Sequence, residues 1–92
     1  MATHTYTNHA LNRRQQRAIP PLIVDWLLEY GATQHDHHGA LVHYFDKPAR
    51  KALAHDVGKP IVGQLERYLD AYLVARDNCI ITVGYRYKRL NR

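Results

Sequence analysis

The feature that most constrains the fold is the run of residues 79–87, Cys-Ile-Ile-Thr-Val-Gly-Tyr-Arg-Tyr. β-Branched and aromatic residues dominate this run, which is typical of a β-strand. Residues 77–78, Asp-Asn, favour a turn, and residues 70–76 before them alternate in a way that also suits a strand. The alternative for 70–76 is a continuation of the helical segment before it. We predict the hairpin, which places a β-sheet in the fold.

The strongest helical pattern lies in residues 19–30. Apolar side chains recur there at intervals of three and four residues, as in a helix that packs one face on a core: Ile19, Leu22, Ile23, Trp26, Leu27 and Tyr30. The two prolines at 20–21 suit the first turn of this helix, and Gly31 suits its end. Residues 9–18 are predicted to form a separate helix before it, with Asn8 as the N-cap.

The middle of the chain predicts a loop, a strand and further helix. Residues 32–39 are polar and end in glycine, which indicates a loop. Residues 40–46 predict a strand, with Leu41, His43 and Phe45 on one side and Val42 and Tyr44 on the other. Asp46 is expected to cap a helix that ends at Gly58, and residues 60–69 keep a helical period after it.

These segments predict one α+β domain over residues 1–92, with two N-terminal helices packed on a small antiparallel sheet of three to four strands. Threonines alternate with other residues in 1–8, so a short edge strand or an extended arm is expected there. On the last strand, Ile81 and Val83 are expected to face the core, although strand register is easily misjudged by one residue.

The chain carries no sequence signal for a membrane or for secretion. No run approaches the roughly 18 consecutive apolar residues of a membrane span, and residues 1–8 lack an apolar signal-peptide region. Cys79 is the single cysteine, so no internal disulfide forms, which agrees with a reducing compartment. We therefore expect a cytoplasmic protein.

The positive charge is concentrated at the two ends of the chain. The net charge is +5. Residues 1–17 carry three arginines and no acid, residues 86–92 carry four basic residues and no acid, and the segment between them has a small excess of acid. If the ends meet, they form a cationic patch suited to phosphate or to an acidic partner. The alternative is that basic ends only keep the protein soluble.

Three basic side chains near the N-terminus, His9, Arg13 and Arg17, are spaced four residues apart. On a helix they lie in one row, because residues i and i+4 are neighbours. On the final strand, Thr82 and Arg86 share one side. Cleavage of RNA by transesterification needs a group that transfers protons and cations that stabilise the charged phosphorane. Histidine and arginine supply these functions.

The same residues have simpler interpretations. Arg13 and Arg86 could pair with carboxylates such as Asp70, and His9 could cap a helix or point into solvent. The cluster His-Asp-His-His at 35–38 invites a metal hypothesis, but no second spaced pair of ligands accompanies it, and a polar loop is the preferred interpretation. We therefore predict no metal site and no cofactor.

The chain resembles a known group of small proteins at both ends. Its opening, His-Ala-Leu at 9–11 with Arg13 and the Arg-Ala-Ile of 17–19, is similar to that of BrnT-like proteins and their relatives of unknown function. The closing segment 80–86, Ile-Ile-Thr-Val-Gly-Tyr-Arg, is similar to their last strand. These groups are related to the RelE/ParE-like toxins. The resemblance implies a RelE-like α+β fold, metal-independent ribonuclease activity and inhibition by a cognate antitoxin. Residues 47–68 are longer and more helical than that fold requires.

The leading hypothesis is therefore a toxin-like, metal-independent endoribonuclease or RNA-binding protein of a toxin–antitoxin system, with an acidic antitoxin-like partner. The predicted catalytic residues are His9, Arg13, Thr82 and Arg86. The predicted contacts to the nucleic-acid backbone are Arg17, Lys88, Arg89 and Arg92. The alternatives are a non-catalytic module that binds nucleic acid or an acidic protein through its basic ends, and a small structural or homodimeric protein that uses the exposed edge of the hairpin.

Overall fold

The computed structural model describes residues 5–86 and shows a mixed α+β fold. The strands are β1 (Thr5–Tyr6), β2 (Ala32–His35), β3 (Leu41–Tyr44), β4 (Ala71–Arg76) and β5 (Cys79–Tyr85). The helices are α1 (Asn8–Gln16), α2 (Pro21–Tyr30), α3 (Lys47–Val57) and α4 (Lys59–Gln64), followed by a 3₁₀ turn at Glu66–Tyr68.

The five strands form one sheet in the order β1-β5-β4-β3-β2. The pairs β2–β3, β3–β4 and β4–β5 are antiparallel, but β1 pairs parallel with β5, with Thr5 opposite Cys79 and Tyr6 opposite Ile80. The prediction of an antiparallel sheet of three to four strands was therefore wrong in strand number and in the direction of β1. Of the two possibilities expected for residues 1–8, an edge strand or an extended arm, residues 5–6 form the edge strand, which lies parallel beside the last strand.

The predicted loop at 32–39 was wrong in its first half. Residues 32–35 form β2, which pairs antiparallel with β3 from Ala32 opposite Tyr44 to His35 opposite Leu41. Three of the four residues of β2 are exposed. The polar sequence reflects the position of β2 at the edge of the sheet, where little apolar surface is buried.

The predicted hairpin is confirmed, and residues 70–76 belong to a strand rather than a helix. Asp77 and Asn78 both have positive φ, at 52° and 66°, as the type I′ turn of a two-residue hairpin loop requires. The prediction that Ile81 faces the core was wrong. The register shifts between Val74 and Ala75, so that Ala75 pairs with Ile80 and Ile81 is the extra residue of a bulge. Ile80 is 2% exposed and occupies the core instead.

The two N-terminal helices meet where the sequence predicted, around Ala18, which has a φ of 54°. The N-cap of α1 is Thr7 and not Asn8, because the Thr7 hydroxyl accepts a hydrogen bond from the Ala10 N–H at 3.0 Å. Asp46 caps α3 as predicted by accepting from the Ala49 N–H at 2.9 Å. Gly58, with a φ of 96°, ends that helix.

The core lies between one face of the sheet and the helices. It includes Trp26 of α2 as predicted, at 7% exposed, together with Leu27, Leu53, Leu73 and Val83. At the end of α2 the helix passes close to β3, and a Cβ at Gly31 would lie 2.4 Å from the Leu27 carbonyl oxygen. Glycine is therefore required where the chain turns from α2 into β2.

Candidate nucleic-acid interface

The face of the sheet opposite the core carries aromatic and aliphatic side chains. Val42 and Tyr44 of β3 and Tyr72 and Val74 of β4 alternate with residues that face the core. All four are partly exposed, and none packs against the core cluster of residues 5–86. We call this surface the open face and define it by Val42, Tyr44, Tyr72, Val74, Thr82, Gly84 and Arg86.

A row of three residues crosses the centre of the open face. Tyr44 of β3 pairs with Tyr72 of β4, and Tyr72 pairs with Gly84 of β5. A Cβ at Gly84 would lie 3.1 Å from Cε1 and 3.2 Å from the hydroxyl oxygen of Tyr72. The missing side chain at Gly84 therefore lets the Tyr72 ring lie across β5.

Arg86 follows β5 and crosses the open face towards β3. Its guanidinium carbon lies 4.6 Å from the centroid of the Tyr44 ring, which is a cation–π distance. Its backbone N–H donates to the Asp70 carbonyl at 2.8 Å. The Asp70 carboxylate forms an ion pair with Arg50 at 3.1 Å. The pairing that sequence reasoning allowed between Arg86 and the Asp70 side chain is therefore replaced by stacking on Tyr44.

His9 and Thr82 lie together, as the predicted site requires. The distance from Nε2 of His9 to Oγ1 of Thr82 is 3.4 Å, and the histidine is exposed. Thr7 fixes the start of α1 against β5, because its N–H donates to the Ile80 carbonyl at 2.9 Å and its hydroxyl lies 3.4 Å from the Ile81 carbonyl. These bonds hold His9 next to the last strand.

Three arginines lie in the second half of α1 and at its C-cap. Arg13 lies one turn after His9 and is partly exposed. Arg14 lies over the Tyr6 ring at 5.7 Å and approaches the Ile19 carbonyl at 3.3 Å. Arg17 is the C-cap, and its Nε is shielded from solvent and makes no hydrogen bond within residues 5–86.

Of the predicted catalytic residues, His9 and Thr82 lie together, whereas Arg86 lies apart from them. His9 contacts Thr82. Arg86 lies four residues after Thr82, just past the end of β5, which is roughly 13 Å of extended chain, and its side chain points towards Tyr44. The predicted backbone contacts Lys88, Arg89 and Arg92 lie outside the described residues.

Sequence reasoning missed Tyr44 and Tyr72 as functional candidates. The signal was present in the alternation along each strand. It placed Tyr44 on the other side of its strand from Leu41 and His43, and Tyr72 on the other side of its strand from Leu73. Their side-by-side position could not be read from the sequence, because it depends on the pairing register of β3 with β4.

The histidine-rich turn after β2 is organised by one carboxylate. The Asp36 side chain accepts hydrogen bonds from the His38 N–H at 2.7 Å and the Ala40 N–H at 3.0 Å. These backbone bonds lower the pKa of Asp36 below its ordinary value. Within residues 5–86, no group of three or more His, Cys, Asp or Glu side chains is arranged to hold a metal ion.

Comparison of the chain with protein-family models, with curated proteins and with solved structures finds no match. The resemblance to BrnT-like and RelE-like proteins therefore stays a prediction. No helix within residues 5–86 has the length and apolar character needed to cross a membrane.

Proposed function

We propose that this protein binds single-stranded RNA on the open face of its sheet. The observation that carries the proposal is the arrangement of Arg86 over Tyr44 beside Tyr72, which lies across Gly84. Aromatic and guanidinium planes on an exposed sheet stack with unpaired bases, and arginine also binds phosphate. A surface of this kind suits RNA whose bases are not already paired.

The charge distribution supports an anionic ligand. Arg13 on α1, Arg17 at its C-cap and Arg86 directly after β5 supply cations near the sheet. Asp70, the acid beside Arg86, is already paired with Arg50. In this proposal Arg17, Lys88, Arg89 and Arg92 contact phosphates, as the positive ends of the sequence suggest.

The second candidate function is metal-independent endoribonuclease activity of the RelE-like, toxin–antitoxin kind, in the cytoplasm. The observation that favours it is the exposed His9 within 3.4 Å of Thr82. In this mechanism His9 takes the proton of the 2′-hydroxyl as its oxygen attacks phosphorus, the bond from phosphorus to the 5′-oxygen breaks, and water protonates that leaving oxygen. Thr82 orients the ring, and Arg13 stabilises the phosphorane. Arg86 lies further along the strand and binds a neighbouring nucleotide. An acidic antitoxin-like protein would then compete for the same cationic surface.

Binding is tested by fluorescence anisotropy with a labelled single-stranded RNA and its duplex. We expect the parent protein to prefer the single strand and to lose affinity as salt increases. Tyr72→Ala should weaken binding about tenfold, whereas Tyr72→Phe should retain it, because base–aromatic stacking contributes about 1–3 kcal/mol per base.

A matched pair of charge variants isolates the role of Arg86. Arg86→Gln should weaken RNA binding, whereas Lys51→Gln, which removes an exposed cation from α3, should not. Equal affinity of Tyr72→Ala and the parent protein for the single strand would overturn the proposal.

Cleavage is tested separately with the same RNA in the presence of a chelator. His9→Ala should abolish cleavage while RNA affinity stays within about twofold of the parent. Intact RNA with the parent protein would reject the second candidate and leave the binding proposal standing, and cleavage that His9→Ala retains would reject the role of His9.

A further inference from the structure

A second arginine–tyrosine cluster lies at the end of the sheet where the chain leaves β5. Arg67, in the 3₁₀ turn before β4, donates a hydrogen bond from its guanidinium to the Tyr68 hydroxyl at 2.8 Å. Its guanidinium carbon lies 4.8 Å from the centroid of the Tyr68 ring, which is a cation–π distance. We call Arg67, Tyr68 and Tyr85 the end cluster.

Tyr85 completes the end cluster from the last position of β5. It pairs with Ala71 and is partly buried against the core. Burial raises the pKa of Tyr85, the nearby Tyr68 side chain raises it further, and the Arg67 cation acts in the opposite direction. The arginine and the two tyrosines are therefore close neighbours.

The end cluster and the stacked pair of Arg86 and Tyr44 lie on opposite faces of the sheet at the same end. Tyr85 packs towards the core, whereas Arg86, the next residue, reaches the Tyr44 ring on the open face. The Arg86 N–H donates to the Asp70 carbonyl at 2.8 Å, only two residues after Tyr68. A strand that lies across the open face therefore meets the end cluster when it passes the end of β5.

Arg67 is accessible to a ligand. The residue is exposed, whereas Tyr68 beside it is partly buried against the core. The guanidinium plane therefore rests on a ring that the core holds in place, as the Arg86 plane rests on Tyr44. Guanidinium planes stack with unpaired bases and also bind phosphate.

The charges at this end of the sheet favour an anion. Arg50 balances the charge of Asp70, because the two form an ion pair at 3.1 Å. Glu66 is the other acid of residues 66–70. Arg67 and Arg86 together exceed it, which leaves the surroundings of the end cluster positive.

We propose that a single RNA strand bound on the open face continues around the end of β5 and stacks a further base on Arg67. This inference rests on RNA binding by the open face and extends it, because it sets the length of RNA that the protein recognises. Stacking residues on a sheet of this kind hold about two or three bases. A short oligonucleotide therefore occupies the open face alone, and only a longer strand reaches the end cluster.

The test compares labelled oligouridines of about four and about ten nucleotides by fluorescence anisotropy with the full chain. A longer strand also offers more binding registers, so the deciding quantity is the effect of each variant at the two lengths. Arg67→Gln should weaken binding of the longer strand about five- to tenfold, as expected for one stacked base, and leave the shorter strand within about twofold of the parent.

Two further variants separate stacking from charge. Arg67→Lys keeps the cation but removes the guanidinium plane, so it should recover only part of the lost affinity for the longer strand. Lys51→Gln removes an exposed cation from α3 and should leave both affinities unchanged. Full recovery in Arg67→Lys would overturn the stacked base.

The outcome also distinguishes this inference from the proposed function. If Arg67→Gln binds the longer strand as the parent does, or loses affinity equally at both lengths, the continuation around β5 is overturned. The proposed function then stands, provided that Tyr72→Ala still weakens binding of the shorter strand. If the parent protein binds neither length, the proposed function and this inference both fail.

Discussion

Neighbouring residues of the same strand differ sharply in burial, because they lie on opposite faces of the sheet. On β4, Ala71 and Leu73 are 1% and 0% exposed and belong to the core. Tyr72 lies between them on the open face and is partly exposed. On β5, Val83 is 2% exposed, whereas Thr82 before it lies beside His9. Stability and ligand binding should therefore respond separately to substitutions only one residue apart.

The largest expected effect comes from substituting adjacent residues on β4. Leu73→Ala removes a completely buried side chain and should lower the free energy of unfolding by about 3 kcal/mol, through lost burial and a residual cavity. Tyr72→Ala should cost less than half as much, because Tyr72 contributes nothing to the core cluster. Urea unfolding followed by circular dichroism measures both. Equal losses would show that the open face also holds the fold together.

Two glycines provide the next comparison. A Cβ at Gly31 meets the Leu27 carbonyl at 2.4 Å, and Gly31→Ala should destabilise the fold by about 2 kcal/mol because the backbone must move. A Cβ at Gly84 meets the Tyr72 ring at 3.1 Å. Gly84→Ala should change stability by less than about 1 kcal/mol, since a side chain can rotate away.

The same glycine pair also separates folding from RNA binding. We expect Gly84→Ala to weaken single-stranded RNA binding in the anisotropy assay, because the displaced Tyr72 ring no longer lies across β5. If Gly84→Ala binds RNA as the parent does, the position of the ring is not part of the interface.

Substitutions of Arg50 and Arg86 should change stability less than those of Leu73 and Gly31. Arg50 donates to the Leu69 carbonyl at 3.0 Å and to the Asp70 carboxylate at 3.1 Å, which joins α3 to the residues just before β4. Arg50→Gln should cost about 1 kcal/mol of stability. Arg86→Gln should cost less than Arg50→Gln in urea unfolding and more in RNA affinity. The reverse ranking would contradict the assignment of Arg86 to ligand binding.

The sequence predicted the elements that have strong local signals. The amphipathic pattern of 19–30 and the Asp46 cap identify α2 and α3, because a helix is determined by contacts within a few residues. The hairpin around 77–78 was also predictable, since a positive-φ turn and two alternating runs lie close together in the chain. These elements were sufficient for the α+β class.

Long-range pairing was not predictable to the same extent. The polar strand β2 shows no apolar alternation, because it lies at the edge of the sheet. The bulge that places Ile80 rather than Ile81 on the core face depends on the pairing register of β4 with β5. The contact of His9 with Thr82 was consistent with the predicted site, but the direction of Arg86 depended on Tyr44, two strands away.

The smallest expected effect concerns His43, which lies on the core face opposite Leu73. Burial lowers the pKa of His43 in the folded protein, whereas the unfolded chain has the ordinary value near about 6.5. The unfolded state therefore binds the proton more readily, so stability should fall as the pH decreases below about 6.5 towards the folded pKa. Backbone bonds lower the pKa of Asp36, and its contribution to stability is lost near or below about pH 4, outside this window.

His43→Phe should flatten this part of the pH profile. The free energy of unfolding, measured in urea between pH 7.5 and 5.5, should decline less in His43→Phe than in the parent. His37→Gln removes an exposed imidazole from the turn after β2 and serves as the matched control, with the decline of the parent retained. Parallel profiles for the parent and His43→Phe would mean that the ring is as well solvated in the fold as in the unfolded chain. His43 would then be accessible to water although it lies on the core face. The difference in burial between the two faces would hold for Leu73 but not for His43.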